Sequence, residues 1–436
     1  MDGTKRTEGL SMLSAVAFAV GTMIGAGVFV LSGLVIDIAG PSAILSYTIG
    51  GIIIIFSGLS YATLASIFPE DGGGYLYVKR MIGGFTGFMA GWGMYVFLMI
   101  ACAFVMIGFG IYLNLLLGMH LDPRVFALVG LVALTLINLR GISEVGKAEI
   151  AMVATKVAIL LILVIVGLTQ ISGSDYVPFA PNGAGSVITG VTMVFFAYTG
   201  FQVAAMMSGE VKESSRKVPM AILISIALVM VIYIGVIVAL LAANLPNYGS
   251  ESVFDAAVVF LGPLGGTVVA LAATISTLSS ANANIVGSSR ITMEMASEEQ
   301  LPGRFARLRN GQPVNSIILG AGISAVFIIW GSLDFIIDVT NVSILATMML
   351  VNISAFIMIR RKEKVPDEKS YFRIPFGVLF PVLGTASCLL MIILLPPTII
   401  LLGSIVLMSG SVLYILEDTP GGKKAIKEIK EALGRG

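Results

Sequence analysis

Apolar runs matching the ~20 residues needed to cross ~30 Å of hydrocarbon recur along the whole of this 436-residue chain, and nothing else in it narrows the choice of fold as far. Backbone amides and carbonyls in lipid must be satisfied within a helix or a closed barrel. The runs far exceed the ~10-residue alternating strands of membrane barrels, so each is expected to be a helix. With 57% hydrophobic and 12% charged residues, the chain has too little polar surface to hide these runs in a soluble domain. The fold class expected is an all-α polytopic membrane protein with spans at 10–36, 42–66, 85–117, 125–140, 148–170, 186–208, 219–243, 262–288, 315–331, 335–359, 374–394 and 397–416. The first span is too long for a cleaved signal and lacks a small-residue cleavage site. No soluble domain is expected, and "KKAIKEIKEALGRG" reads as a short surface helix with Ile426, Ile429 and Leu433 on one face. A net charge of +1 points to no nucleic-acid partner, and Cys102 and Cys388, inside apolar spans, read as packing residues.

Charge tests the span count. Of 26 Lys and Arg, 24 fall in alternate loops on one side, Arg124 stands alone in the loops opposite, and the last is Lys156. Cytoplasmic loops carry the excess of Lys and Arg, so the chain is expected to be a multi-pass protein of the cell membrane with both termini cytoplasmic.

Lys156 interrupts "AEIAMVATKVAILLILVIVGL", residues 148–168. At 1.5 Å per residue it lies about 12 Å into the fifth span. A lysine at the centre of a span costs roughly 2.5 to 3.5 kcal/mol to insert, so it is expected to face a cavity or a partner. A lysine that snorkels to the surface or serves only as a structural donor is the plainer alternative to a role in ion coupling.

Two stretches supply its surroundings. "VGTMIGAGVF" puts Gly21, Gly25 and Gly27 in the middle of the first span, where each glycine lowers helix propensity by ~1 kcal/mol. "VFFAYTGFQVAAMMSGE" places aromatics and Gly200 at comparable depth in the sixth. Glycines in membrane helices also serve as packing notches. Weakened helices at matching positions in two halves of a chain, however, point to a midplane binding site in inverted-repeat transporters.

These residues carry a resemblance. "GTMIGAGVFVLSG" in the first span, "FPEDGGGYLYVKRMIGGFTGFMAGWGMYV" around the third, "FFAYTGFQ" with "GEVKESSRKVPMAI" after the sixth, "SSANANIVGSSRITMEMASEEQLP" through the eighth and "YFRIPF" before the eleventh resemble the amino acid/polyamine/organocation transporters, in the proton-coupled and cationic amino acid permease subgroup. The resemblance covers residues 9–416. The glycine triplet at 72–74 has no strand before it and reads as a turn, not a phosphate loop.

The resemblance implies a leucine-transporter-type fold: a five-helix repeat over 10–170, an inverted repeat over 186–359, two further helices over 374–416 and a tail over 417–436. It implies that freed amides at Gly25, Ala26 and Gly27 receive the carboxylate of an amino acid substrate, favoured by the positive end of a half-helix. Carbonyls of Met23, Phe196 and Thr199 would meet its ammonium, with Phe196 in the place of a gating aromatic. Ala26 stands where some relatives carry a hydroxyl. Lys156 falls where proton-coupled members carry a lysine in place of a sodium ion, its implied partners being the Gly21 carbonyl and a hydroxyl of the eighth span, Ser279 or Ser276. Protons, amino acid and the lipid bilayer are the partners expected, with no cofactor and no metal. Glu210 reads as a solvated charge at a helix end.

Symport with protons and amino acid exchange both fit this reading. A channel would need a continuous polar stripe, and the polar residues cluster at mid-depth instead. An intramembrane enzyme would need a nucleophile with a base or a metal cluster, whereas the single histidine, His120, lies in a loop. An apolar pocket near Thr22, Tyr198 and Gln202 favours neutral or broad substrates; the likeness to cationic permeases favours arginine or lysine.

Overall fold

The computed structural model describes residues 10–140, 145–309, 311–361 and 372–416. The tail over 417–436, with the expected surface helix, lies outside them.

The order of elements is α1 (Met12–Met23), a π-helical stretch (Gly27–Leu31), α2 (Ser32–Ala39), α3 (Ala43–Ile67), α4 (Gly74–Met81), α5 (Gly84–Leu117), α6 (Pro123–Arg140), α7 (Val145–Leu168), α8 (Gly183–Tyr198), α9 (Gln202–Met206), α10 (Ser214–Ala242), α11 (Ser252–Ser297), α12 (Val314–Trp330), α13 (Leu333–Arg361), α14 (Leu379–Leu394) and α15 (Pro397–Leu416). Among the described residues nine segments are long and apolar enough to cross a membrane, and α12 and α14 are shorter apolar helices. The first of the nine, Met12–Ile67, has 56 residues, more than twice the ~20 that one crossing needs. It turns at Gly40, whose φ of 60° suits glycine, followed by Pro41.

Two elements end or bend where the sequence permits it. Gly72 and Gly73 take φ of 106° and 51° and turn the chain into α4, as expected of the triplet. Helix α11 is split by non-helical backbone at Gly262 (φ 70°), followed by Pro263, so 252–261 and 263–297 are separate helical arms.

Burial sorts the helices into an inner and an outer set. The most apolar stretch of α5 is 94% buried, against 17% for α6 and 22% for α15. The outer helices still present Val129, Leu401 and Ile405 to their surroundings. A ring of exposed aliphatic side chains is destabilising in water and not in lipid. Inside it, α1, α5, α8, α10 and α11 surround the place where α1 and α8 stop.

Candidate functional site

Helix α1 stops at Met23. Ile24 leaves helical geometry (φ −82°, ψ 61°), and the chain resumes past Ala26 as a π-helix rather than an α-helix. Helix α8 stops at Tyr198; Thr199 is extended (ψ 155°) and Gly200 has a φ of 125° before α9 begins. The sequence marks these points with Gly25, Gly27 and Gly200, and the two breaks abut. A Cβ on Gly200 would lie 2.8 Å from the Met23 amide nitrogen, and one on Gly27 would lie 3.1 Å from Ala197 Cβ. Gly25 is equally tight against Ser280, whose Oγ would be 2.5 Å away. These glycines are therefore packing notches as well as helix breakers.

A helix that ends inside the protein leaves its last carbonyls without intrahelical donors, and in lipid each must be satisfied by protein. Side chains do this carbonyl by carbonyl. Lys156 Nζ, on α7, donates to Gly21 O and Ile24 O at 2.8 Å each. Ser276 Oγ, on α11, also donates to Ile24 O. Ser280 Oγ, one turn on, donates to Thr22 O at 3.2 Å. Tyr233 OH, on α10, donates to Met23 O at 2.6 Å and to Ala197 O at 3.2 Å, tying the two breaks together.

The sequence-derived residues can now be placed. Lys156 is 2% exposed, so it does not snorkel. Its Gly21 contact was expected; its second carbonyl, Ile24, was not. Ser279 is buried three residues from Ser276, on the same face of α11. Met23, Gly25, Ala26, Gly27, Phe196 and Thr199 line one small cavity with Thr22, Gly200, Ser280 and Asn284, and with Phe97, Ala101 and Val105 from α5. The Phe196 carbonyl already accepts from Thr199 Oγ1 at 2.6 Å, and its ring packs edge-on to Phe104 with centroids 4.9 Å apart. Tyr198, expected near the pocket, instead donates to Tyr47 O at 3.1 Å. Gln202 accepts from the Gly200 amide at 2.7 Å and so stiffens the second break.

Sequence reasoning missed Tyr233, Ser280, Asn284 and the α5 wall. Tyr233 had a signal, a hydroxyl in the middle of an apolar span; the α5 wall had none, because every face of that helix is apolar.

The cavity measures about 20 Å³, space on the scale of a single water. An amino acid enters only if the elements around it part. Ties on both sides of the break in α1 hold them together, one just past it and one ahead of α1. On one side Tyr112 OH donates to Phe29 O at 2.7 Å. On the other, Leu10 pairs with Val211 in a short parallel bridge, Asp71 Oδ1 accepts from the Gly209 amide at 2.9 Å, and Glu210 is ion-paired with Arg290. Glu210 is thus a paired charge at the helix end, not one met only by solvent. Among the described residues no cluster of metal-ligating side chains is present.

Comparison with known proteins adds identity to this geometry. The chain is 29% identical over 435 residues to the methylthioribose transporter of Bacillus subtilis (strain 168), covering 93% of this chain and 92% of that protein. It is 26% identical to the branched-chain amino acid permease BcaP of the same organism, covering 91% and 90%. To its gamma-aminobutyric acid permease it is 28% identical, covering 83% and 81%. Apolar helices and relatives of this kind make it a multi-pass membrane transporter and not an enzyme. The sequence model of the family described as "Amino acid permease" matches residues 10–413, and the chain belongs to that family.

Proposed function

We propose that the protein is a secondary transporter that moves amino acids by alternating access, driven by protons and independent of sodium. The observation that carries this reading is the Lys156 ammonium, buried and donating to Gly21 O and Ile24 O where α1 breaks. A charged donor at that point does the work that a bound cation would do, holding α7 against carbonyls freed at mid-span. Charge-assisted hydrogen bonds are about twice as strong as neutral ones, so protonation tightens α7 onto α1 and α11 and deprotonation loosens it.

The substrate carboxylate meets the amides of Gly25, Ala26 and Gly27, at the start of the resumed helix, where the dipole favours negative charge. Its ammonium meets carbonyls at Met23, Phe196 and Thr199; Met23 O accepts through its second lone pair beside Tyr233, and Phe196 O, which already accepts from the Thr199 hydroxyl and amide, exchanges one of these donors for the ammonium. The frame is the twelve-span, leucine-transporter type, 10–170 and 186–359 forming inverted repeats and 374–416 the last two helices. The length of Met12–Ile67, enough for two crossings, supports the count. The side-selective distribution of Lys and Arg supports a cell-membrane protein with cytoplasmic termini. No acidic or basic side chain lines the cavity, which supports neutral substrates over cationic ones.

The test is uptake by purified protein in sodium-free proteoliposomes under an imposed pH gradient, competed by each amino acid. Accumulation driven by the gradient is expected; a strict need for sodium would sink the reading. Uptake that requires amino acid inside the vesicle and ignores the gradient would replace symport by exchange. A second reading, transport of methylthioribose, is favoured by the breadth of the match to that transporter and by the uncharged cavity. Competition by methylthioribose and not by amino acids would select it.

A further inference from the structure

Asparagine at 284 is set apart from the other buried asparagines. Asn114 donates to Leu121 O, Asn341 to Thr192 O and Asn352 to Ser57 Oγ, at 2.8 to 2.9 Å. Asn284 is only 3% exposed, yet among the described residues its amide has no hydrogen-bond partner in the protein. It lines the cavity at the two helix breaks. Buried polar groups are normally satisfied, and one that borders a binding cavity without a partner is provided for by whatever enters.

The groups around it define that ligand. Ser280, one turn before it on α11, is committed to Thr22 O, and the hydroxyls of Thr22 and Thr199 are committed to Phe18 O and Phe196 O. Across the cavity α5 presents Phe97, Ala101 and Val105, spaced four apart on one face. The two helices touch at this level, where Cys102 Sγ lies 3.9 Å from Ala281 O. An amide offers both donors and an acceptor, so it is satisfied in full by a hydroxyl or another amide. An ammonium can use only its oxygen and a carboxylate only its nitrogen, and no lining group supplies the countercharge either would need.

We propose that Asn284 is a specificity-determining residue that selects neutral amino acids whose side chain carries a hydroxyl or amide on a short apolar stem. The inference rests on the amino acid reading above and adds the side-chain class to it. An apolar substrate of equal size leaves the amide unpaired, and a site built to hydrogen-bond its substrate rejects the analogue that cannot.

Threonine and valine are near-isosteres that differ in one hydroxyl. Uptake kcat/KM for each, measured with the full-length protein in proteoliposomes, is expected to favour threonine by roughly tenfold, the worth of one good hydrogen bond. In Asn284→Leu and Asn284→Ala the ratio is expected to fall to about one, with thermal unfolding in detergent confirming that each variant is folded. A wild-type ratio at or below one overturns the proposal and needs no variant. An unchanged ratio in either folded variant also overturns it, while the amino acid reading stands because both compounds still move. If neither threonine, valine nor any other amino acid is carried, both readings fall together.

Discussion

Two of the donors that cover the carbonyls freed at the end of α1, an ammonium and a phenol, are chemically unlike. On the side facing α7 and α11, Gly21 O and Ile24 O take an ammonium, Lys156, backed by Ser276. On the side facing α10 and the second break, Met23 O takes a phenol, Tyr233, which also reaches Ala197 O. Both solve the same accounting problem, since either would leave buried carbonyls unpaired if removed. They differ in what protonation can change. An amine that loses its proton loses its charge and much of its grip, whereas a phenol donates unchanged over the physiological range. In the proposed cycle the first corner therefore carries the coupling and the second holds the substrate site in shape.

Removing the amine breaks the comparison most completely. Lys156→Met keeps the stem and discards the charge, and gradient-driven uptake is expected to drop to its no-gradient level. Relief of a buried charge offsets the lost hydrogen bonds, so the thermal unfolding temperature in detergent is expected to stay near that of the wild type. A variant that is destabilised yet still driven by the gradient would make Lys156 a structural tie and move the proton elsewhere.

Next in size is Gly25→Ala. Its Cβ would meet Ser280 Oγ at 2.5 Å and Ser280 Cβ at 2.9 Å, overpacking of the kind that costs about 1 to 3 kcal/mol. KM is expected to rise by roughly tenfold or more, and Ser280→Gly in the same chain, which removes both atoms, to restore part of it. No rescue would mean that the amides at the break, and not the packing, bear the effect.

Tyr233→Phe sharpens the contrast from the other corner. The ring keeps its neighbours Tyr47 and Tyr198, with centroids 5.8 and 5.2 Å away. Only the hydroxyl bonds go, each worth about 1 kcal/mol. KM is expected to rise a few-fold while uptake stays gradient-driven; loss of the gradient response would dissolve the division between the corners.

Smallest is Glu210→Gln. The Glu210 and Arg290 side chains are 38% and 40% exposed, and exposed pairs contribute about 0 to 1 kcal/mol. Uptake kinetics are expected to change by no more than about fivefold, with coupling intact. Loss of gradient drive here would name Glu210 as the proton carrier.

Composition and run length were sufficient to determine an all-helical membrane protein, because hydrocarbon admits so few backbone solutions. Gly25, Gly27 and Gly200 marked where spans break, since residues without a Cβ weaken a helix wherever they stand. Lys156 announced a partner by its charge alone, and Gly21 followed from the resemblance. The identities of the remaining donors were decided by tertiary structure. Tyr233, Ser280 and Lys156 come from three helices, and which of them meets which carbonyl depends on how each helix is rotated about its axis. Spans such as α5 and α10 are apolar on every face, so periodicity cannot report that rotation. The same holds for Asn284: a sequence shows an asparagine in a span, but only the packed fold shows that its amide faces a cavity with no protein partner, while the amide nitrogens of Asn341 and Asn352 find theirs.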